Sequence, residues 1–327
     1  MKQILHYNTF QNTLKSDLEK KYKKFDYNTR ICFVDRYQQI PHYLPVTSYS
    51  KPLQSDPSFN EYFDHLCDRR SIELLNTGKI INVFWSGGLD STAVLISLIM
   101  NCTNKDQIRI ITSYNAILES GYFYETFLKS YNTIFDISGI NKYFNENELF
   151  ITGNPGNQLF SSGSMSISKL VKDVEDLKKS YKNIISVEDQ EFYYPSLIKS
   201  PRLVVSYEDF LWYRNFATLW EHPRFHLIIR YLKPKNVKKY LNIVLGFFYT
   251  NYFEQWAINN NEQQHELKDI NNFLTSTKLP MRKYIFKKLG QKSEDYVKNK
   301  KIVSSIWVPN GYSYKYITTD FEVHYNE

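Results

Sequence analysis

Between Lys79 and Met100 the chain changes character twice, and few folds allow that change over so short a distance. Ile80-Ile81-Asn82-Val83-Phe84-Trp85 is β-branched, aromatic and nearly continuous in its hydrophobicity, which suits a strand buried on both faces of a parallel sheet. Gly87 and Gly88 end the run. From Ser91 to Cys102 apolar side chains occur nearly all round, so a helix there is expected to lie buried against the sheet. A strand, a tight turn and a helix in that order leave the first helical amides unpaired beside the positive end of the helix dipole, where an anion is favoured. Glycine lets a phosphate approach the backbone. Ser86, Ser91 and Thr92 add hydroxyls, Leu89 completes the turn, and Asp90 offers a carboxylate able to hold Mg²⁺ shared with phosphate oxygens. The structural alternative is that Asp90 is only the N-cap of the helix and the glycines only a turn.

The spacing is not that of a Walker A loop, which needs four residues between its glycines and a lysine before the Ser or Thr. Ser86-Gly87-Gly88-Leu89-Asp90-Ser91 instead resembles the signature of the PP-loop ATP pyrophosphatases, the superfamily of asparagine synthetase, GMP synthetase, NAD synthetase and tRNA lysidine synthetase. The resemblance implies ATP as co-substrate, cut between its α- and β-phosphates, with pyrophosphate held in this turn, Mg²⁺ at Asp90 and AMP passed to the substrate. It also implies an α/β fold with a doubly wound, mainly parallel sheet of the adenine nucleotide alpha-hydrolase-like class. In that division residues 1–74 are an N-terminal extension, 78–165 the nucleotide-binding core and 166–327 a helical lobe, the last two forming one domain from residue 75.

A second strand is expected over Gln107–Tyr114, with adenine between the carboxyl ends of the two strands. Ser113 and Tyr114 are candidates for that wall, or Tyr114 is ordinary core. Glu119 to Tyr131 reads as helical, and Glu148–Thr152 leads into a second glycine turn. Thr152-Gly153-Asn154-Pro155-Gly156-Asn157-Gln158-Leu159-Phe160 resembles the asparagine-synthetase segment Ser-Gly-Glu-Gly-Ala-Asp-Glu-Leu-Phe, whose acidic residues face the nucleotide and its magnesium. Gly153, Leu159 and Phe160 match. The acidic positions are Asn154, Asn157 and Gln158 here, so metal affinity is expected to fall; the alternative is that the segment is merely a turn.

Ser161 to Asn260 reads as mostly helical and aromatic-rich, a packed lobe rather than a base-stacking surface. His222 and His226 lack an acidic partner at metal-ligand spacing. The tract Thr277-Lys278-Leu279-Pro280-Met281-Arg282 looks like the one that opens a late helix in asparagine synthetase. A lysine soon after it folds over the active site in that family, which makes Lys300 and Lys301 the catalytic candidates, against the alternative of a solvated lysine run. Before the first strand, a polar, lysine-rich helical leader, a short strand at Ile31–Val34, a proline-marked crossing and a helix in Phe59–Leu75 are expected. Residue 2 is Lys rather than the cysteine nucleophile of a glutaminase, so the expected substrates are a small carboxylate and free ammonia or an amine.

No apolar run reaches the roughly 20 residues that span a bilayer, and three scattered cysteines form no disulfide framework, so a cytoplasmic location is expected. The net charge of +7 permits nucleic acid as a partner without choosing it. Three functions follow in order: an adenylating amidoligase, a PP-loop enzyme modifying tRNA or another nucleic acid, and a nucleotide-binding regulator that no longer turns over.

Overall fold

The computed structural model describes residues 4–7, 36–39, 50–135, 140–160, 174–220, 222–259, 278–299 and 314–325. Its strands are β1 (Ile4–Tyr7), β2 (Ile81–Phe84), β3 (Ile108–Ile111), β4 (Asn132–Ile134), β5 (Leu149–Thr152), β6 (Val244–Gly246), β7 (Tyr314–Thr318) and β8 (Val323–Tyr325). The helices that matter below are α1 (Phe63–Leu75), α2 (Leu89–Asn101), α3 (Tyr114–Glu119), α4 (Gly156–Leu159), α5 (Val187–Leu197), α6 (Tyr207–Thr218), α7 (His222–Leu232), α8 (Asn251–Asn259), α9 (Leu279–Leu289) and α10 (Lys292–Asn299).

β2 to β6 form one parallel sheet in the order β4-β3-β2-β5-β6, and the fold is α/β. Parallel neighbours need long crossovers, and α2 supplies the one from β2 to β3. The first strands stop short of their expected ends, although Trp85 N–H still donates to Ile111 O at 2.8 Å and Thr112 Oγ1 to Trp85 O at 2.9 Å. Side chains alternate along β2, so Ile81, Val83 and Trp85 enter one core and Phe84 another. The first core is completed by α1, α2, α6, α8 and α9. The second is closed by Phe225, Ile228 and Ile229, which stand at helical i, i+3, i+4 spacing on α7. Both faces of the sheet are thus covered, which is why β2 and β5 are buried at every position.

α2 is buried continuously from Ser91 to Leu98 because the sheet lies on one side and α1 and α9 on the other. Helices α5 to α8 make up a helical lobe within residues 187–259. α6 starts where Ser206 and Asp209 form a reciprocal cap: Asp209 N–H donates to Ser206 Oγ at 3.1 Å and Ser206 N–H to Asp209 Oδ2 at 3.0 Å. The lobe also returns a strand to the sheet, β6, within the apolar run Ile243–Tyr249. Glu119 to Tyr131, expected as one helix, is broken at Ser120 and becomes two short helical turns, Gly121–Phe123 and Tyr124–Leu128.

The short strand expected at Ile31–Val34 and most of the lysine-rich leader lie outside the described residues. β1 was not anticipated. It pairs antiparallel with β7, and β7 with β8, in a separate three-stranded sheet. Val237 N–H to Phe321 O and Val323 N–H to Lys235 O, both 2.9 Å, fasten that sheet beside the second core. Arg36, 2% exposed, enters the helical lobe: its Nη2 pairs with Glu254 Oε1 at 2.8 Å on α8, its Nη1 donates to Phe216 O, and its guanidinium lies 4.6 Å from the Phe216 ring.

Candidate functional site

β2 and β5 are neighbours in register, with Val83 opposite Ile151, so the turns that follow them emerge side by side at the point where the strand order reverses. In open α/β sheets that crevice, beyond the carboxyl ends of the strands, is where ligands collect. The two turns interlock. A Cβ on Gly153 would meet Asp90 Cβ and Ser91 N at 2.9 Å, and one on Gly156 would meet Asp90 Cγ at 2.7 Å. Both positions therefore admit only a bare backbone against Asp90.

The first turn is held by its own hydroxyls. Ser91 Oγ accepts from Ser86 N–H at 3.1 Å, lies 3.0 Å from Ser86 Oγ and donates to Gly88 O at 3.1 Å. Gly88 N–H donates to Ser86 Oγ at 3.3 Å. Behind them Trp85 Nε1–H donates to Thr92 Oγ1 at 3.1 Å. Gly87 takes φ +75°, and a Cβ there would collide with Ala116 O at 2.5 Å. The first intrahelical bond of α2 runs from Thr92 N–H to Gly88 O, so the amides of Leu89, Asp90 and Ser91 are the orphan donors of the helix start.

The N-cap of α2 is Gly88, in extended conformation, and no side chain caps it. Asp90 sits inside the first helical turn, so capping does not account for its carboxylate. That carboxylate meets Lys278, the residue immediately before α9, whose Nζ donates both to Asp90 Oδ1 and to Asn157 Oδ1. Lys278 is 7% exposed. One buried ammonium thus ties the first turn, the second turn and the start of α9 together, and α9 packs along α2.

Of the residues singled out from the sequence, Ser86, Gly87, Gly88, Leu89, Asp90, Ser91 and Thr92 share the first turn, Gly153 of the second turn is brought against Asp90 and Ser91, Asn157 is joined to Asp90 through Lys278, and Asn154 faces Gly246 of β6. Asn154 N–H donates to Thr152 Oγ1 at 3.2 Å, and its carbonyl accepts from Phe248 N–H at 3.2 Å. Ser113 is committed locally, its hydroxyl accepting from Ala116 N–H at 3.3 Å at the start of α3. Tyr114 is 71% exposed and is not core. Lys300 and Lys301 lie outside the described residues, directly after α10.

Two residues at the site were not singled out. Lys278 lies in the tract that opens α9, and a lone carboxylate at Asp90 beside the neutral Asn154, Asn157 and Gln158 is the signal that points to it. The other is Glu119 at the end of α3, whose Cβ lies 3.1 Å from where a Gly87 Cβ would be.

The magnesium implied by the resemblance does not fit this donor set. Such sites are built from carboxylate and phosphate oxygens, whereas Asp90 Oδ1 already carries an ammonium and the facing oxygen belongs to the amide of Asn157. Among the described residues no group of three His, Cys, Asp or Glu side chains is arranged to hold a metal ion. A hollow of about 690 Å³ lies at the opposite, amino end of the sheet, lined by Arg109, Asn132 and Glu148. Arg109 and Glu148 pair with each other there at 3.0 Å, with the buried Asn82 amide donating to Glu148 at 2.7 Å, so those charges serve the sheet.

No protein-family model matches the chain, and a search of curated proteins returns no match. No helix among the described residues is long and apolar enough to cross a membrane.

Proposed function

We propose that residues 86–92 hold the phosphates of ATP and that the chain is an adenylating ligase resembling the synthetase domain of asparagine synthetase, joining a small carboxylate to ammonia or an amine. What carries this reading is the meeting of two glycine turns at the reversal point of the sheet, over the first amides of α2, with a buried lysine beside them. The strand order is compatible with a doubly wound sheet, and membership of the adenine nucleotide alpha-hydrolase-like class is part of the same proposal.

In the first step a carboxylate oxygen bonds to the α-phosphorus while the bond from that phosphorus to the α,β-bridging oxygen breaks, its electron pair leaving with pyrophosphate. The Leu89, Asp90 and Ser91 amides and the Lys278 ammonium face the charge that develops on the departing group. An amine nitrogen then bonds to the acyl carbon, AMP departs and the nitrogen gives up a proton.

Incubation of the full chain with ATP and pools of carboxylic acids and amines, with and without Mg²⁺, is expected to yield AMP and pyrophosphate in equal amounts. Asp90→Ala is expected to abolish both. Release of ADP and orthophosphate would overturn the mechanism. A nucleotide-binding regulator is the second reading, favoured by the amides at Asn154, Asn157 and Gln158; ATP binding with no AMP from any pool would select it.

A further inference from the structure

The donor set at Asp90 has the polarity of a site already supplied with its cation. Lys278 Nζ reaches the carboxylate of the first turn and the side-chain oxygen of the second at once. An ammonium has three N–H donors. Two are used on Asp90 and Asn157, and the third has no partner among the described residues. Asn157 and Gln158, on the adjoining turn, are neutral, so the acidic side chains at the two turns are Asp90, which Lys278 already pairs, and Glu119 at the end of α3. The main chain adds positive character from two directions, since α2 starts at Leu89 and α9 at Leu279, directly after Lys278.

We propose that Lys278 takes the place of the divalent ion, so that this site binds the free polyphosphate anion and does not require its magnesium complex. The ligand class is a nucleoside triphosphate or pyrophosphate without bound metal. The Lys278 ammonium and the first amides of α2 contact it, and Asp90 and Asn157 hold the ammonium in position. This inference rests on the phosphate reading of residues 86–92 and narrows it to one form of the ligand.

Calorimetric titration of the full chain with α,β-methylene-ATP, and separately with inorganic pyrophosphate, in EDTA and then in excess Mg²⁺ tests it. Binding in EDTA at least as tight as in Mg²⁺ is the expected result. Binding only in Mg²⁺ would overturn the inference and leave the phosphate site standing. Binding in neither condition would remove the phosphate site itself, and this inference with it.

Lys278→Met supplies the second arm, with its fold checked by circular dichroism. Loss of one charge-assisted contact predicts affinity in EDTA weaker by about tenfold or more, with part of it regained in Mg²⁺ once Asp90 is released to hold an ion. Unchanged affinity of a folded Lys278→Met protein in EDTA would exclude the lysine. Should the variant fail to fold, the wild-type comparison between EDTA and Mg²⁺ still decides the question.

Discussion

Gly87 places the strictest demand on side-chain identity in the first turn. It combines φ +75° with a backbone oxygen, Ala116 O, 2.5 Å from any added Cβ, whereas Gly78 at φ +66° has nothing within 4 Å of its own. Gly78→Ala is therefore expected to cost only the left-handed backbone term, about 1–2 kcal/mol. Gly87→Ala adds the displacement of α3 and is expected to exceed that by about 1–3 kcal/mol, together with weaker ATP binding. Urea unfolding of the two variants side by side measures the difference. At this scale the first turn was legible, because strand, glycines and hydroxyls lie within a dozen consecutive residues. Lys278 was not, since 188 residues separate it from Asp90 and a lysine before a helix looks the same whether it faces solvent or a carboxylate.

α1, α2 and α9 form the layer that presses the first turn onto the sheet, and Asp68 is the polar joint among them. Lys288 Nζ and Tyr284 Oη of α9 each donate to its carboxylate at 2.8 Å, and Asn101 Nδ2 of α2 donates at 3.0 Å. Burial alone would raise the Asp68 pKa, but the hydrogen bonds from Lys288, Asn101 and Tyr284 hold it below its ordinary value. A carboxyl group depressed in the folded state adds stability that is fully present above its unfolded pKa, about 3.9, and lost as pH falls through the folded value. Asp68→Ala is accordingly expected to lower stability by about 1–2 kcal/mol at neutral pH. The gap to wild type should stay constant down to about pH 5 and close below about pH 4, as read from urea midpoints across pH. Helical periodicity revealed α1 in outline, and the resemblance of the tract Thr277–Arg282 pointed to a helix where α9 begins. β6 escaped because three strand residues inside an apolar run carry no period that separates them from the helices on either side. The alternative that made Asp90 the cap also fails: Asp is a preferred cap, yet the tight turn puts Gly88 there and makes Asp90 the second residue of the helix.

Across the whole molecule, long-range ties join segments that the sequence presents as separate. Glu254 accepts from both Arg36 Nη2 and Leu53 N–H at 2.8 Å, so a buried ion pair anchors the early residues in the helical lobe. Arg36→Met would leave a buried carboxylate without its counter-charge and is expected to cost about 3–5 kcal/mol. Arg36→Met with Glu254→Gln should lose less than the sum of the two single changes, which a double-mutant cycle of unfolding free energies checks. None of this was legible, since an arginine among polar residues gives no sign of the glutamate it will meet 218 positions later. The small sheet has the same character and a kinetic consequence. β1 leaves the ribosome roughly 300 residues before β7, its only strand partner among the described residues. At ordinary rates of synthesis it spends about 15–60 s as an unmatched edge. During that interval the nascent chain must keep a β-prone segment from finding the wrong neighbour, and a strand made early is secured late.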